Sequence, residues 1–211
     1  MDKQCISLNG LNIYILSEEN LEDVLRFVIE TNYEKYGYRD IEPESKLEEI
    51  LIQEQEDFAD SAFYVVRDYD ENIVGSIRIH KLRKGVDEKV SNELCQELRS
   101  IEYRNVCHIG RLAIKQGTDT LIFKVLTLLA FGIVCENEKN ILIAECDIRL
   151  FETLRLMGIN IRSVGEPYFS LGSEVVEVFA VYNDIYPYFS RHKQFINKLI
   201  KDINKSISIV F

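Results

Sequence analysis

The sequence predicts an α/β protein with a mixed central sheet flanked by helices. Three observations predict it. Short segments rich in β-branched and aromatic residues alternate with amphipathic segments of helical period. An antiparallel hairpin precedes a strand-helix-strand unit whose helix is too apolar to stand in water. No internal repeat or low-complexity stretch interrupts the 211 residues, a length that buries one good core and is short for two ordinary domains.

Leu11 to Leu16 alternates and reads as a first strand, after which Ser17 reads as a helix cap. Leu21, Val24, Leu25, Val28 and Ile29 then recur at helical spacing behind Glu18 and Glu19, and that helix should stop before Gly37. Pro43 opens a second helix with Leu47, Ile50 and Leu51 inward, fading near Asp60. Ala62 to Arg67 and Ile73 to Leu82 form a hairpin across the acidic turn Asp68-Tyr69-Asp70-Glu71-Asn72. Val86, Val90, Leu94 and Leu98 lie four apart and suggest a mostly exposed crossing helix.

Val106 to Ile114 is the next strand, followed by a strongly apolar helix from Leu121 to about Glu136. Ile141 to Glu145 has the nearly continuous apolar character of a strand buried in a parallel pair. A helix from about Ile148 to Met157 ends at Gly158, and two strands follow near Ile159 to Val164 and Val175 to Tyr182. From Tyr188 to Lys205 the apolar residues recur at helical period, which predicts a C-terminal amphipathic helix. Residues 1–186 are expected to form the main domain, with 187–211 as an extension packed on it.

The composition excludes several classes. Thirty-five acidic against 25 basic residues leave a net charge of −10, which argues against nonspecific attraction to nucleic acid. Basic residues cluster in His80-Lys81-Leu82-Arg83-Lys84 and near the C-terminus, where solvated faces account for them in the ordinary case. Five cysteines without C-x-x-C spacing oppose both a disulfide framework and a bound metal, and fit a reducing cytoplasm. The first 30 residues lack a secretion signal, and no run of 18 apolar residues exists, so neither export nor a transmembrane segment is expected. No G-x-S-x-G or H-E-x-x-H motif points to a hydrolase.

Four stretches, in order, carry a resemblance. They are Leu25-Arg26-Phe27 with Tyr36-Gly37-Tyr38; the hairpin strand Val74-Gly75-Ser76-Ile77-Arg78-Ile79; Gly110-Arg111-Leu112-Ala113-Ile114; and the helix from Leu150 to Ile159 followed by Gly165-Glu166-Pro167. Together they resemble the GNAT superfamily of acyltransferases, and within it the fatty acyl branch of acyl-homoserine lactone synthases and long-chain N-acyl amino acid synthases. The resemblance implies a GNAT-like sheet and an N-acyltransferase that moves a fatty acyl group from an acyl carrier protein or acyl-CoA thioester to the amine of an amino acid or similar small molecule.

It also implies the site. The strand holding Gly110 to Ile114 would bind the donor's phosphopantetheine arm through Leu112, Ala113 and Ile114, and the following turn its phosphate, through Gln116, Gly117, Thr118 and Thr120. Gly110 stands where the family usually has serine. His108, three positions before Arg111, stands where the family often has a glutamate proposed as base. A histidine of ordinary pKa near 6.5 can take a proton at neutral pH, and His108 and Arg111 are the catalytic candidates. On a regular strand the two would point to opposite faces; a bulge, which Gly110 permits, would bring them together. Arg111 could equally hold an acidic helix residue. Arg78 or Arg111 could bind an acceptor carboxylate, and Phe123 would line the acyl tunnel.

Asp119 puts negative charge where a diphosphate would sit, or serves as a plain helix cap, and so favours a carrier protein over coenzyme A. Lys81, Arg83 and Lys84, with Lys115 and Lys124, would offer the acidic carrier a basic surface. A short-chain transferase using acetyl-CoA, and a relic that binds acyl chains or carrier protein without catalysis, are the alternatives.

Overall fold

The computed structural model describes residues 1–8, 11–37, 43–82, 90–170, 172–192 and 194–195. Eight strands make one sheet in the order β1-β2-β3-β4-β5-β6-β8-β7: Lys3–Leu8, Leu11–Ile15, Ser61–Arg67, Ile73–Leu82, Asn105–Ile114, Asn140–Asp147, Arg162–Ser170 and Ser173–Val181 for β1 to β8. Among the described residues six α-helices accompany it: α1 Leu21–Tyr36, α2 Pro43–Asp57, α3 Asn92–Arg99, α4 Leu121–Val134, α5 Ile148–Leu156 and α6 Tyr182–Arg191. All neighbouring strands are antiparallel except β5 and β6.

That parallel pair sets the site. β5 and β6 pair from Asn105 with Asn140 to Ile109 with Ala144 and no further, although β5 continues to Ile114 and β6 to Asp147. Past that point the strands part. A parallel pair needs a crossover, and α4, in which Ile122, Val125, Leu126 and Leu128 are all buried, supplies it.

Alternation along the strands sends opposite sets of side chains to two cores. Phe63, Val65 and Ala113 meet α1 and α2, whereas Tyr64, Val66, Ile77 and Ile79 lie in the larger cluster with α4. α1 is held by Leu21, Val24, Leu25, Val28, Ile29 and Tyr33, and it ends where Gly37 takes the left-handed conformation at φ +71. Between β3 and β4, Asp68 accepts hydrogen bonds from the backbone of Asp70 and Asn72 at 3.0 and 2.9 Å, closing the expected acidic turn.

Several expectations change. An edge strand, β1, precedes the strand expected to be first. Ser17 does not cap α1; Asn20 holds that position after a single 3-10 turn, and the Ser17 hydroxyl donates to Asp2 at 2.9 Å. α3 is less exposed than its spacing suggested, because Leu94, Cys95 and Leu98 are buried. β7 runs on through Gly165 and Pro167, with its register to β8 shifting between Val164 and Tyr168; an edge strand tolerates both residues. α6 starts at Tyr182, earlier than expected, and most of the expected tail helix, 193 and 196–211, lies outside the described residues. So do Val86, Arg83 and Lys84.

Candidate active site

β5 carries a bulge. Its register to β4 shifts so that Arg78 faces Gly110 and Ser76 faces Ala113, leaving Arg111 and Leu112 opposite Ile77 alone. The strain falls on Arg111, whose φ of +54 is unusual for a residue with a side chain. The Ser76 hydroxyl pins the bulge by donating to the Arg111 carbonyl at 2.9 Å. Gly110 leaves room beside it, since a β-carbon there would lie 3.4 Å from an Arg78 terminal nitrogen.

The bulge turns Arg111 toward α2, where a carboxylate waits. Glu54 is fully buried and accepts from Arg111 Nε at 2.8 Å and from Arg78 Nη1 at 2.8 Å to each oxygen. Arg78 Nη2 lies 3.2 Å from Nδ1 of His108. A guanidinium only donates, so Nδ1 accepts and the ring hydrogen belongs on Nε2. His108 and Arg111 are therefore drawn into one network through Arg78 and Glu54. One turn along α2, Asp57 pairs with His80 at 3.5 Å. Burial lowers the affinity of Arg78 for its proton, Glu54 opposes that effect, and the neighbouring Arg111 charge adds to it.

A cleft of about 950 Å³ passes through the sheet where β5 and β6 part. On the α1 and α2 side it is lined by Thr31, Asn32, Lys35, Lys46, Glu49 and Gln53, on the other by Phe123, Ala130, Phe131, Leu142, Leu154 and Val178. Glu54, Arg78, His108 and Arg111 stand at the junction. Tyr36 at the end of α1 donates to Asp147, which also caps α5 through the backbone of Arg149 and Leu150 at 3.0 and 3.1 Å. Burial, and then the Asp147 hydrogen bond, push the Tyr36 hydroxyl up and keep it a donor.

Leu112, Ala113, Ile114, Gln116 and Phe123 line the cleft; Gly117, Thr118 and Thr120 lie in the turn beyond the lining residues. In that turn Asp119 caps α4, accepting from the backbone of Leu121 at 2.8 Å, and Thr118 bonds back to the Lys115 carbonyl at 2.7 Å. Lys124 lies over the Phe195 ring, 5.2 Å from its centroid, and Lys81 reaches Glu136 at 3.7 Å. Cys146 also lines the cleft, but burial raises its thiol to about 12, so roughly one part in 10⁵ is thiolate at neutral pH. Among the described residues no group of acidic, histidine and cysteine side chains is arranged to hold a metal.

Glu54 escaped the sequence reading. Its one signal is a carboxylate on the α2 stripe that continues Leu47 and Ile50 inward, at the spacing of buried residues.

No known protein family's sequence pattern matches the chain, and no curated protein matches it. Solved structures do. The chain is similar to FeeM, an N-acyl amino acid synthase from uncultured soil microbes, at 15% identity and a TM-score of 0.60 over 87% of this chain and 97% of that one. It is similar to the acyl-homoserine lactone synthase LasI at 15% identity and a TM-score of 0.53, over 85% and 94% of the two chains. A GNAT acetyltransferase from Staphylococcus aureus Mu50 aligns at 14% identity and 0.53, over 82% and 99%. The chain has the GNAT fold.

Proposed function

We propose that this protein is an N-acyltransferase that moves a fatty acyl group from a thioester donor, acyl carrier protein in preference to acyl-CoA, to the amine of an amino acid or similar small molecule. One observation carries the reading: the cleft joins a charged chamber to an apolar one through the gap between β5 and β6. A polar amine and a long acyl chain need opposite surroundings, and here they would meet at the sheet.

The donor's pantetheine arm would lie along the edge of β5 from Leu112 to Ile114, which β6 no longer pairs. The acyl chain would run past Phe123 toward Phe131 and Leu154. The amine attacks the thioester carbon, the carbon-sulfur bond breaks, and the amine's surplus proton ends on the departing thiol. His108 would take and pass on that proton at Nδ1 by releasing its 3.2 Å contact with Arg78 Nη2. High thiol pKa values at Cys5, Cys107, Cys135 and Cys146, of about 11 or 12, favour direct transfer over a covalent enzyme intermediate.

Asp119 at the start of α4 supports a donor with one phosphodiester over one with several phosphates. Lys115 and Lys124 lie close to that turn in the chain and would face an acidic carrier protein. The free cysteines are in keeping with a cytoplasmic enzyme.

The test is product formation. Acyl carrier protein and coenzyme A thioesters of several chain lengths would be incubated with the protein and mixed amino acids, and N-acyl products sought by mass spectrometry. Fatty N-acyl amino acids are expected, more from the carrier protein. Transfer of acetyl alone would replace this reading with a short-chain enzyme, and no product from any donor would end it.

A further inference from the structure

The Arg78, Arg111 and Glu54 group carries one more positive than negative charge. Two guanidiniums share a single carboxylate, and Glu54 spends both oxygens on them. Asp57, the next acid inward on α2, is turned to His80. Asp57 also acts on Arg78 electrostatically, so what the group offers a ligand is open N–H groups rather than an unbalanced charge.

The two arginines differ in what they have left. Arg78 is 5% exposed; its Nη1 is bound to Glu54, its Nη2 contacts His108, and its Nε is enclosed without a partner among the described residues. Arg111 has an 18% exposed side chain, lines the cleft and uses only Nε, so its Nη1 and Nη2 have no hydrogen-bond partner among the described residues. With Nε committed, the end-on edge of the guanidinium remains. That edge presents two parallel N–H donors, the arrangement that a carboxylate accepts bidentately.

We infer that Arg111 is the specificity residue that selects an acceptor carrying a carboxylate next to its amine, and that Arg78 and Glu54 position it without touching substrate. The bulge supplies the reason for the strain. A residue with a side chain rarely takes this left-handed backbone, and here it turns Arg111 toward the charged chamber and Glu54. The inference rests on the acyl transfer reading for its substrate, while the anion fork itself rests on the two open Nη groups of Arg111 in the cleft.

The experiment pairs amino acids with their carboxamides, which keep the amine and side chain and lose the anion. For apolar, aromatic and polar side chains, kcat/KM would be measured with one acyl carrier protein thioester, and Kd by calorimetry without donor. The unmodified enzyme should prefer the acid by roughly 10- to 100-fold, the worth of a charge-assisted hydrogen bond or two. In Arg111→Lys, and more fully in Arg111→Gln, the loss should fall on the acids and be at least tenfold smaller for the carboxamides. Equal preference in the unmodified enzyme overturns the inference without any variant. So does an equal loss on both acceptor types, which would assign Arg111 to the thioester oxyanion or to structure alone. A preference for the acid in Kd with no turnover on either acceptor would uphold the fork and reject acyl transfer.

Discussion

At the scale of single residues, Glu54 and His108 divide structure from chemistry. Glu54 has no access to solvent and answers two arginines, so Glu54→Ala leaves the buried Arg78 and the half-buried Arg111 without their shared counterion. Breaking a buried pair from one side costs about 3 to 5 kcal/mol, and urea denaturation should show a lower midpoint and an unfolding free energy reduced by about that amount, with Glu54→Gln intermediate. An unchanged midpoint would mean the arginines find water. His108 should behave otherwise. His108→Ala is expected to lower kcat on the order of a hundredfold or more while donor binding changes little. The acid limb of the pH profile should vanish with it, because that limb reports loss of the base by protonation. Equal turnover and an unaltered profile would reduce His108 to a structural partner of Arg78.

At the scale of elements, the contact of α4 with the sheet decides how the cleft is walled. Gly75 on β4 faces β5 at Ile114, and a β-carbon there would come within 2.7 Å of the Ile122 Cγ2 of α4. An isoleucine branch has little freedom to retreat, so α4 must lift. Gly75→Ala should cost about 1 to 3 kcal/mol, the usual penalty of overpacking, seen as a lower thermal midpoint. A neutral or stabilising result would show that α4 rides loosely on β4. The adjacent Ser76 serves a different purpose, since its hydroxyl fixes the bulge from below.

At the scale of the whole molecule, the two faces of the sheet communicate through the gap beyond Ile109 and Ala144. Ala144 lines the cleft and packs against the α4-side core, so a larger side chain there would take up space in the cleft. Ala144→Leu should shift the products toward shorter acyl chains. Each methylene denied burial loses about 0.8 kcal/mol, or roughly a fourfold drop in kcat/KM per methylene. The measurement is the chain-length profile with a series of donors. A profile that does not move would place the acyl chain elsewhere.

The sequence by itself determined most of the elements and their order. Periodicity is a local property, and α1, α2, α4, α5, the β3–β4 hairpin and the parallel strand Ile141 to Glu145 all follow from it. The family resemblance offered His108 and Arg111 as candidates, and strand alternation named the bulge as the condition on which they could share a face. What the sequence could not decide was which charges meet. Glu54 is 57 residues from Arg111 and 24 from Arg78, and only the packing of α2 over a bulged β5 brings them within 2.8 Å. β1 escaped because six residues at the edge of a sheet carry too weak an alternation, and Ser17 stands at the start of the 3-10 turn before α1 with its hydroxyl given to Asp2, just ahead of that strand, rather than to the helix backbone. Ion pairing and hydrogen bonding act through space, so the tertiary structure alone assigned the support of Arg78 and the open edge of Arg111.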